Sequence, residues 1–248
     1  MLSENDVKSE SPITSDWQSF LQIGGYASLL TMLLAIFGLL ITFLPGGNVE
    51  GLNTIGDWFN FFQQNPFMGL RTLGLVNFGL ISLGVVSTIA LYGVLHKTNG
   101  GWVMLAVGLS FMSAGVFFAT NRAFPMLVLS NQYAAATSDA QRAMLEAAGT
   151  AMVAVGQSHA PGTFMAYILG SLSSIIIAFV MLRSDFFSNI TAYAGIIAFT
   201  CLLIFEIMVS VFPSMFQLLL LLAGVGGILS MVWQGMVGLR LLKLAKSL

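Results

Sequence analysis

Residues 23–44 read IGGYASLLTMLLAIFGLLITFL, an apolar run without a charged side chain. A hydrocarbon core about 30 Å thick takes about 20 mostly apolar residues to cross as an α-helix. The run stops at Pro45, Gly46 and Gly47, a combination that terminates helices. These residues therefore predict a transmembrane helix. The rest of the chain is accordingly interpreted as a protein surrounded by lipid.

The composition of the whole chain agrees with a lipid solvent. Only 8% of its 248 residues are charged, 57% are hydrophobic, and the mean hydropathy is +0.90. Soluble domains carry about 25% charged residues, because surface that faces water needs polar cover. The net charge of −1 argues against a nucleic-acid-binding protein, which needs a basic face. The single cysteine, Cys201, excludes an internal disulfide framework.

Five further stretches are long and apolar enough to span the bilayer. The predicted fold is therefore all-α: a polytopic integral membrane protein with a bundle of about six transmembrane helices. One membrane domain would occupy residues 23–248, after a polar, acidic N-terminal tail over residues 1–22 that lacks the features of a signal peptide. The predicted spans are 23–44, 72–95, 101–121, 162–182, 190–210 and 217–241.

Two connections between the spans are long enough to hold helices of their own. In the first, Ile55, Trp58, Phe59 and Phe62 group on one side of a short helix, a pattern typical of an interfacial anchor among lipid headgroups. In the second, residues 138–155 have helical spacing and begin with a capping-box pattern. We therefore expect one interfacial and one extramembrane helix.

Lys and Arg collect on one side of the predicted bundle. If both termini are cytoplasmic, six of these residues lie inside and three outside, and both long connections lie outside. The positive-inside rule favours this orientation. The inner set is Lys8, Lys97, Arg183, Arg240, Lys243 and Lys246, and the outer set is Arg71, Arg122 and Arg142.

Small residues repeat every four positions along the fourth predicted span. In lipid, helices associate through close approach of their backbones, which small side chains permit. The repeat predicts a helix-packing face, used either within this chain or against a second protomer. Its members are Gly162, Ala166, Gly170, Ser174 and Ala178.

Sequence signatures of catalysis are missing from the chain. There is no nucleophile elbow, zinc-protease motif or phosphate-binding loop. The two histidines, His96 and His159, fall on opposite sides of the predicted membrane, which argues against a shared metal or haem site. We expect no catalytic residues, no metal and no cofactor.

Glu206 lies inside an otherwise uncharged span. An intramembrane carboxylate costs about 2.5 kcal/mol or more unless it is paired or wetted, so such residues are functional candidates. Helical rise places Glu206 roughly 6 Å below the outer surface and Asn77 about 8 Å below it. Asn121 and Arg122 end the third span on the same side. The sequence therefore predicts an outer polar cluster of these four residues, in which Arg122 is the counter-charge for Glu206.

This polar cluster has two interpretations. It is either a structural set of polar contacts that fixes helix positions, or a small pocket that binds a polar or lipid headgroup or passes a proton. The structural interpretation is favoured, because no second carboxylate or histidine lies at the same depth. Gln234, near the inner end of the sixth span, is interpreted as a helix–helix hydrogen bond.

Three stretches give the chain a resemblance to a known family. They are FFQQNPFMGLRTLGLVNF (61–78), ALYGVLHKTNGG (90–101) and FMAYILGSLSSIIIAFVMLRSDFFSNITAYAGIIAF (164–199). The chain resembles a bacterial and archaeal group of six-span membrane proteins known only as a domain of unknown function. Arg183, Ser184 and Gly195 match its pattern, whereas residues 188–190 depart from it. The resemblance implies an all-helical fold in a prokaryotic cytoplasmic membrane, and no catalytic residues.

The sequence thus favours a non-enzymatic binding or accessory membrane protein. Its expected partners are membrane lipids, with a second copy of the chain or another membrane protein left open, and no nucleic acid. The alternative is a small transporter or channel-like protein that uses the cluster around Glu206 and Arg122. A lipid-modifying enzyme is the weakest hypothesis, because no nucleophile–base pair is visible.

The predicted orientation is testable by cysteine labelling. A membrane-impermeant thiol reagent added to intact cells should modify cysteines placed at Glu50 and Asp139, because both connections are expected outside. A cysteine at Ser247 should stay unlabelled until the cells are opened. Labelling of position 247 in intact cells would reverse the orientation.

Overall fold

The computed structural model describes residues 17–42, 52–156 and 161–247, with the side chains of 155–156 and 161–163 outside that description; every regular element in these ranges is a helix. The helices are α1 (Gln18–Thr42), α2 (Ile55–Gln64), α3 (Pro66–Thr72), α4 (Leu75–Thr120), α5 (Ala123–Ala135), α6 (Asp139–Gly156), α7 (Pro161–Met181), α8 (Asn189–Val211) and α9 (Phe216–Lys246), with a 3₁₀ turn at Pro213–Met215.

Helix α4 consists of two antiparallel arms. Its backbone leaves helical geometry at Asn99, where φ is −158° and ψ is 78°. A straight helix of its 46 residues would be about 69 Å long. Instead Asn121, just beyond its end, donates a 3.1 Å hydrogen bond to the carbonyl of Leu73, just before its start. The first arm (75–98) and the second arm (100–120) therefore lie side by side.

The arms of α4 account for the number of spans. Five helical segments of the described chain are long and apolar enough to cross a membrane, and one of them begins with α4. Because α4 folds back at Asn99, its segment crosses twice, and the described chain therefore has one crossing more than the five segments, which makes six. The predicted all-α polytopic bundle of about six transmembrane helices is confirmed.

The six spans close into a ring of antiparallel neighbours. The order around it is α1, the first arm of α4, its second arm, α7, α8 and α9, which returns to α1. On one side, Ser28 of α1 hydrogen-bonds Ser87 of the first arm at 2.6 Å. On another, Ser113 of the second arm donates to the Ala166 carbonyl of α7 at 2.7 Å. Hydroxyl groups thus tie neighbouring spans together where water cannot satisfy them.

Glycines on α1 allow the ring to close. A Cβ added to Gly24 would lie 2.0 Å from the Cβ of Ala90 on α4, and one added to Gly25 would lie 2.7 Å from Leu242 on α9. On α9, a Cβ at Gly238 would come within 2.9 Å of the Gly25 carbonyl oxygen. These separations leave no room for a side chain, so α1 fits between α4 and α9 only because glycine occupies these positions.

An apolar core fills the base of the bundle, which is the end where α1 begins and α9 ends. Leu21, Leu95, Val103, Met181 and Leu241 come from five different spans, and each is at most 1% exposed. Their side chains close the ring at this end. The interior of the bundle is therefore sealed at the base by hydrocarbon.

Helices α2, α3, α5 and α6 form a cap over the opposite end. Phe59 and Phe62 of α2 and Met126 of α5 are fully buried in a core separate from that of the base. At the start of α2, the Asp57 carboxylate accepts hydrogen bonds from the hydroxyl and the backbone N–H of Thr54, which lowers the pKa of Asp57. The cap is thus a small folded unit with its own core.

Two expectations, one about the first connection and one about the first span, differ from the structure. The short helix predicted in the first connection is present as α2, but Phe59 and Phe62 are buried against α5 instead of facing headgroups, because the cap needs apolar residues for its core. The first span begins at Gln18 rather than Ile23, and the buried Leu21 belongs to the base rather than to a tail. Residues 1–16 and the expected end of this span at 43–44 lie outside the described residues.

The small-residue face of α7 contacts different neighbours along its length. Ala166 is fully buried against the second arm of α4, and Ala178 is fully buried beside Gly195 of α8. Between them, Gly170 and Ser174 border an internal cavity. The side-chain position of Gly162 lies outside the described residues. The repeat therefore serves neighbouring spans of the same chain and the cavity between them.

We expect Gly24→Ala to lower the melting temperature of the purified protein in detergent. The added methyl would overlap Ala90 and push α1 away from α4, and overpacking of this kind costs about 1–3 kcal/mol. Gly108→Ala is the matched control, because a Cβ there meets nothing within 4 Å. Equal melting temperatures for the two variants would contradict the role of the close approach.

Candidate intramembrane binding site

A cavity of about 230 Å³ lies inside the ring of spans. On the first arm of α4 its wall runs from Asn77 to Thr88, which corresponds to about 16 Å along the helix. The cavity thus extends along the bundle between the cap and the base. The residues that line it are Asn77, Leu80, Ile81, Gly84, Ser87, Thr88, Ser110, Ser113, Ala166, Tyr167, Gly170, Ser171, Ser173, Ser174, Ile177, Phe199, Leu202, Trp233 and Gln234.

The described lining is polar but uncharged. Hydroxyl, amide, phenol and indole groups alternate with aliphatic and aromatic side chains, and none of the described lining residues is ionisable near neutral pH. Part of this polarity holds the helices, since Ser113 and Ser173 donate to the backbone carbonyls of Ala166 and Ala106. The remaining polar groups are available to whatever fills the cavity.

Trp233 and Gln234 of α9 present polar atoms without partners. Trp233 is 3% exposed, and its Nε1–H has no hydrogen-bond acceptor in the described part of the chain. The Oε1 atom of Gln234 is also buried and lacks a donor there. Leaving a buried polar group unsatisfied costs about 1–3 kcal/mol. Both residues contribute to the cavity wall, but neither of these two atoms is itself accessible from the cavity.

The position of the Trp233 ring is fixed from two sides. Phe199 of α8 meets it edge-on, with ring centroids 5.2 Å apart and an interplanar angle of 88°. Gly195 allows the indole to approach α8, because a Cβ there would lie 2.5 Å from Trp233 Nε1. The indole N–H is thus packed against α8 at Gly195.

Tyr167 organises the end of the cavity nearest the cap. Its phenol oxygen accepts a 2.8 Å hydrogen bond from the Asn77 side-chain amide, and its ring lies 6.3 Å from that of Phe117. The charges of Glu206 and Arg122 both act on the phenol. Three of the residues singled out in the sequence are therefore gathered around Tyr167, which the sequence analysis did not select.

Arg122 joins the cap to the ring of spans. It is 4% exposed, and its Nη1 donates to the Met152 carbonyl of α6 at 3.2 Å, while its Nε has no partner among the described residues. Glu206 is 7% exposed. The contacts described for Arg122 do not include the ion pair with Glu206 that the sequence suggested.

Asn121 has a structural place beside the cluster. Its amide nitrogen donates to the Leu73 carbonyl, and its oxygen accepts from the backbone N–H of Ala123. Gly74, with φ at +103°, sits against this amide. Asn121 therefore ties the ends of the two arms that lie opposite the break at Asn99, and it does not line the cavity. It holds the first arm, and with it Asn77, in register.

Gln234 and Trp233 were not selected as site residues from the sequence. Gln234 was expected to bond a neighbouring helix, but its oxygen has no such partner in the described part of the chain. Tryptophan and tyrosine are common in membrane proteins, so their presence alone carries no signal. The available signal was the frequency of hydroxyl and amide residues in the second, third and fourth spans, such as Ser87, Ser110 and Ser173.

The chemistry available at this site is recognition by hydrogen bonding. Among the described residues no group of three or more His, Cys, Asp or Glu side chains could hold a metal ion. The described lining contains hydroxyl groups but no histidine, carboxylate or amine that could activate one. The arrangement is suited to reversible binding.

No family model, curated protein or solved structure matches the chain.

The contact between Asn77 and Tyr167 predicts a measurable coupling. Asn77→Ala and Tyr167→Phe should each lower the melting temperature, and the double variant should be more stable than the sum of the two effects implies, by about 1 kcal/mol. Tyr193→Phe is the control, because that tyrosine is 56% exposed on the outer face of α8. Strict additivity of the two changes would show that the hydrogen bond is not formed.

Proposed function

We propose that this protein is a non-enzymatic binding protein of the membrane that holds a small, neutral, hydrogen-bonding molecule in the cavity among its spans. The observation that carries the proposal is the described lining of that cavity, which is rich in hydroxyl and amide side chains and carries no charge. Amides and alcohols, which carry a donor and an acceptor close together, are the ligand class that such a lining fits.

The absence of charge in the described lining argues for a neutral ligand. An ion moved into a low-dielectric interior loses several kcal/mol of solvation unless a counter-charge is provided. The charges of Glu206 and Arg122 act on Tyr167 at the cap end, and neither residue lines the cavity. We assign them a structural role at that end, where Arg122 connects the ring to the cap.

Binding is favoured over passage through the membrane. The apolar core of the base, with Leu95, Met181 and Leu241, stands between the cavity and that end of the bundle, and each of these side chains is fully buried. A small transporter or channel-like protein that uses the cluster around Glu206 and Arg122 would need this core to part. The alternative therefore requires a second conformation, whereas binding requires none.

The proposal extends to the cellular setting. We place the protein in a prokaryotic cytoplasmic membrane with both termini, and hence the base, on the cytoplasmic side, as the distribution of Lys and Arg favours. The cap and Tyr167 would then lie on the outer side. Membership of the uncharacterised six-span family, and accessory contacts with another membrane protein, are part of the same proposal.

Trifluoroacetamide offers a direct test by ¹⁹F NMR on the protein in lipid nanodiscs. The wild-type protein should give a saturable bound signal, and Gly84→Leu should abolish it, because Gly84 lines the cavity and a Cβ there meets nothing within 4 Å. Gly108→Leu is the control, since position 108 has the same free space without lining the cavity. Equal binding by the two variants would exclude the cavity as the site.

Ser174→Ala tests the polar lining itself. The change removes a hydroxyl from the cavity wall, so the affinity for trifluoroacetamide should fall by about tenfold. The melting temperature of the free protein should fall little, because the backbone contacts between the spans are unchanged. Anionic trifluoroacetate should not bind either protein. Saturable binding of trifluoroacetate would contradict the neutral ligand class.

A further inference from the structure

A second cavity, of about 390 Å³, lies at the base and is separate from the central one. It is formed where the second arm of α4 begins and α7 ends, and it is bordered by Asn99, Trp102, Phe179 and Arg183, with Ile176, Val180 and Leu182 completing the wall. Trp102 is 55% exposed and Phe179 is 53% exposed. The cavity is therefore a groove on the outer surface of the ring, where these spans face lipid.

The wall of this groove changes from apolar to basic along its length. Phe179 lies within the last turns of α7, whereas Arg183 follows the end of that helix at Met181. Spans end at the boundary between hydrocarbon and headgroups, and tryptophan residues such as Trp102 settle there. The apolar part thus lies at the depth of acyl chains, and Arg183 lies at the depth of phosphates.

Arg183 is free to take a ligand. Its side chain is exposed and makes no hydrogen bond or ion pair in the described part of the chain. The other arginine of this end, Arg240, is occupied, since its Nε donates to the Phe186 carbonyl at 2.5 Å. A guanidinium matches phosphate oxygens in a bidentate geometry, which makes phosphate its natural partner.

The surroundings of Arg183 add to the positive charge. The second arm of α4 begins after the break at Asn99, so the N-terminal end of that arm, with the partial positive charge of its helix dipole, borders the groove. Lys97, in the turn before it, is exposed. The acidic residue closest in sequence is Asp185, which is exposed two positions beyond Arg183. The described basic residues of the base, Lys97, Arg183, Arg240, Lys243 and Lys246, outnumber it.

We propose that this groove binds an anionic phospholipid. Arg183 and the start of the second arm of α4 hold the phosphate, Trp102 lies beside the headgroup, and one acyl chain runs along Phe179 and Ile176. The break at Asn99, the start of the second arm of α4 and the end of α7 contribute to the site, so a bound lipid bridges two neighbouring spans at the point where α4 breaks. The site is independent of the ligand of the central cavity.

The charge requirement is tested with the full chain purified in a neutral detergent. Phosphatidylglycerol should raise the melting temperature and stay bound in native mass spectrometry, whereas phosphatidylcholine should do neither. Arg183→Gln should weaken phosphatidylglycerol binding by about tenfold. Lys243→Gln, which removes one positive charge elsewhere on the base, should bind like the wild type. Equal binding by these two variants would show only general attraction to a basic surface and would overturn the site.

The apolar part of the groove has its own matched pair. Phe179→Ala should weaken phosphatidylglycerol binding by several-fold, and Phe111→Ala should not, although both phenylalanines are 53% exposed. Equal effects of the two changes would remove the acyl-chain assignment. Inorganic phosphate at the same concentration should give no rise in melting temperature. An equal rise with phosphate would identify a free-anion site in place of a lipid site and would also overturn the proposal.

Discussion

The fit of α1 between α4 and α9 is the contact on which the interior of this protein depends. Lipid tails are as apolar as the side chains of the spans, so burial of hydrocarbon does not drive helices together in a bilayer. Gly24 and Gly25 allow backbone contact on both sides of α1, and only that contact closes the ring. An open row of the same helices would expose the serine and amide groups to hydrocarbon, where a polar group without a hydrogen bond is costly. The cavity exists because the ring is closed.

Within the closed ring, polar side chains divide into those that bond a neighbouring span and those that line the cavity. Ser28, Ser87 and Ser113 are satisfied by a neighbouring span, at distances of 2.6–2.7 Å. Trp233 Nε1 and Gln234 Oε1 are not satisfied by any described residue. Replacing a buried polar group with an apolar one of similar shape is neutral or favourable, so stability alone does not account for the polar residues along this wall. The proposed binding function gives them a role.

The sequence predicts the spans well and the site poorly, for a physical reason. Hydropathy identifies helices because each span must meet lipid along most of its length, and even the turn at Asn99 is marked by His96, Lys97 and two glycines. Which side chains face inward depends on how six helices close, which no local pattern encodes. Glu206 attracted attention because a charge is rare in lipid, whereas Tyr167, the residue that gathers the cluster, is neutral and inconspicuous.

The two ends of the bundle, the base and the cap end, differ in chemistry. At the base, hydrocarbon fills the interior and basic side chains lie at the surface, which favours contact with anionic headgroups there. At the cap end, a buried arginine, Arg122, links the ring to α6 through the Met152 carbonyl. Under the proposed function, a ligand reaches the cavity without passing the base, because the apolar core would have to part to admit it there. Binding then leaves the backbone contacts of α1 with α4 and α9 intact, whereas passage through the base would require a second conformation.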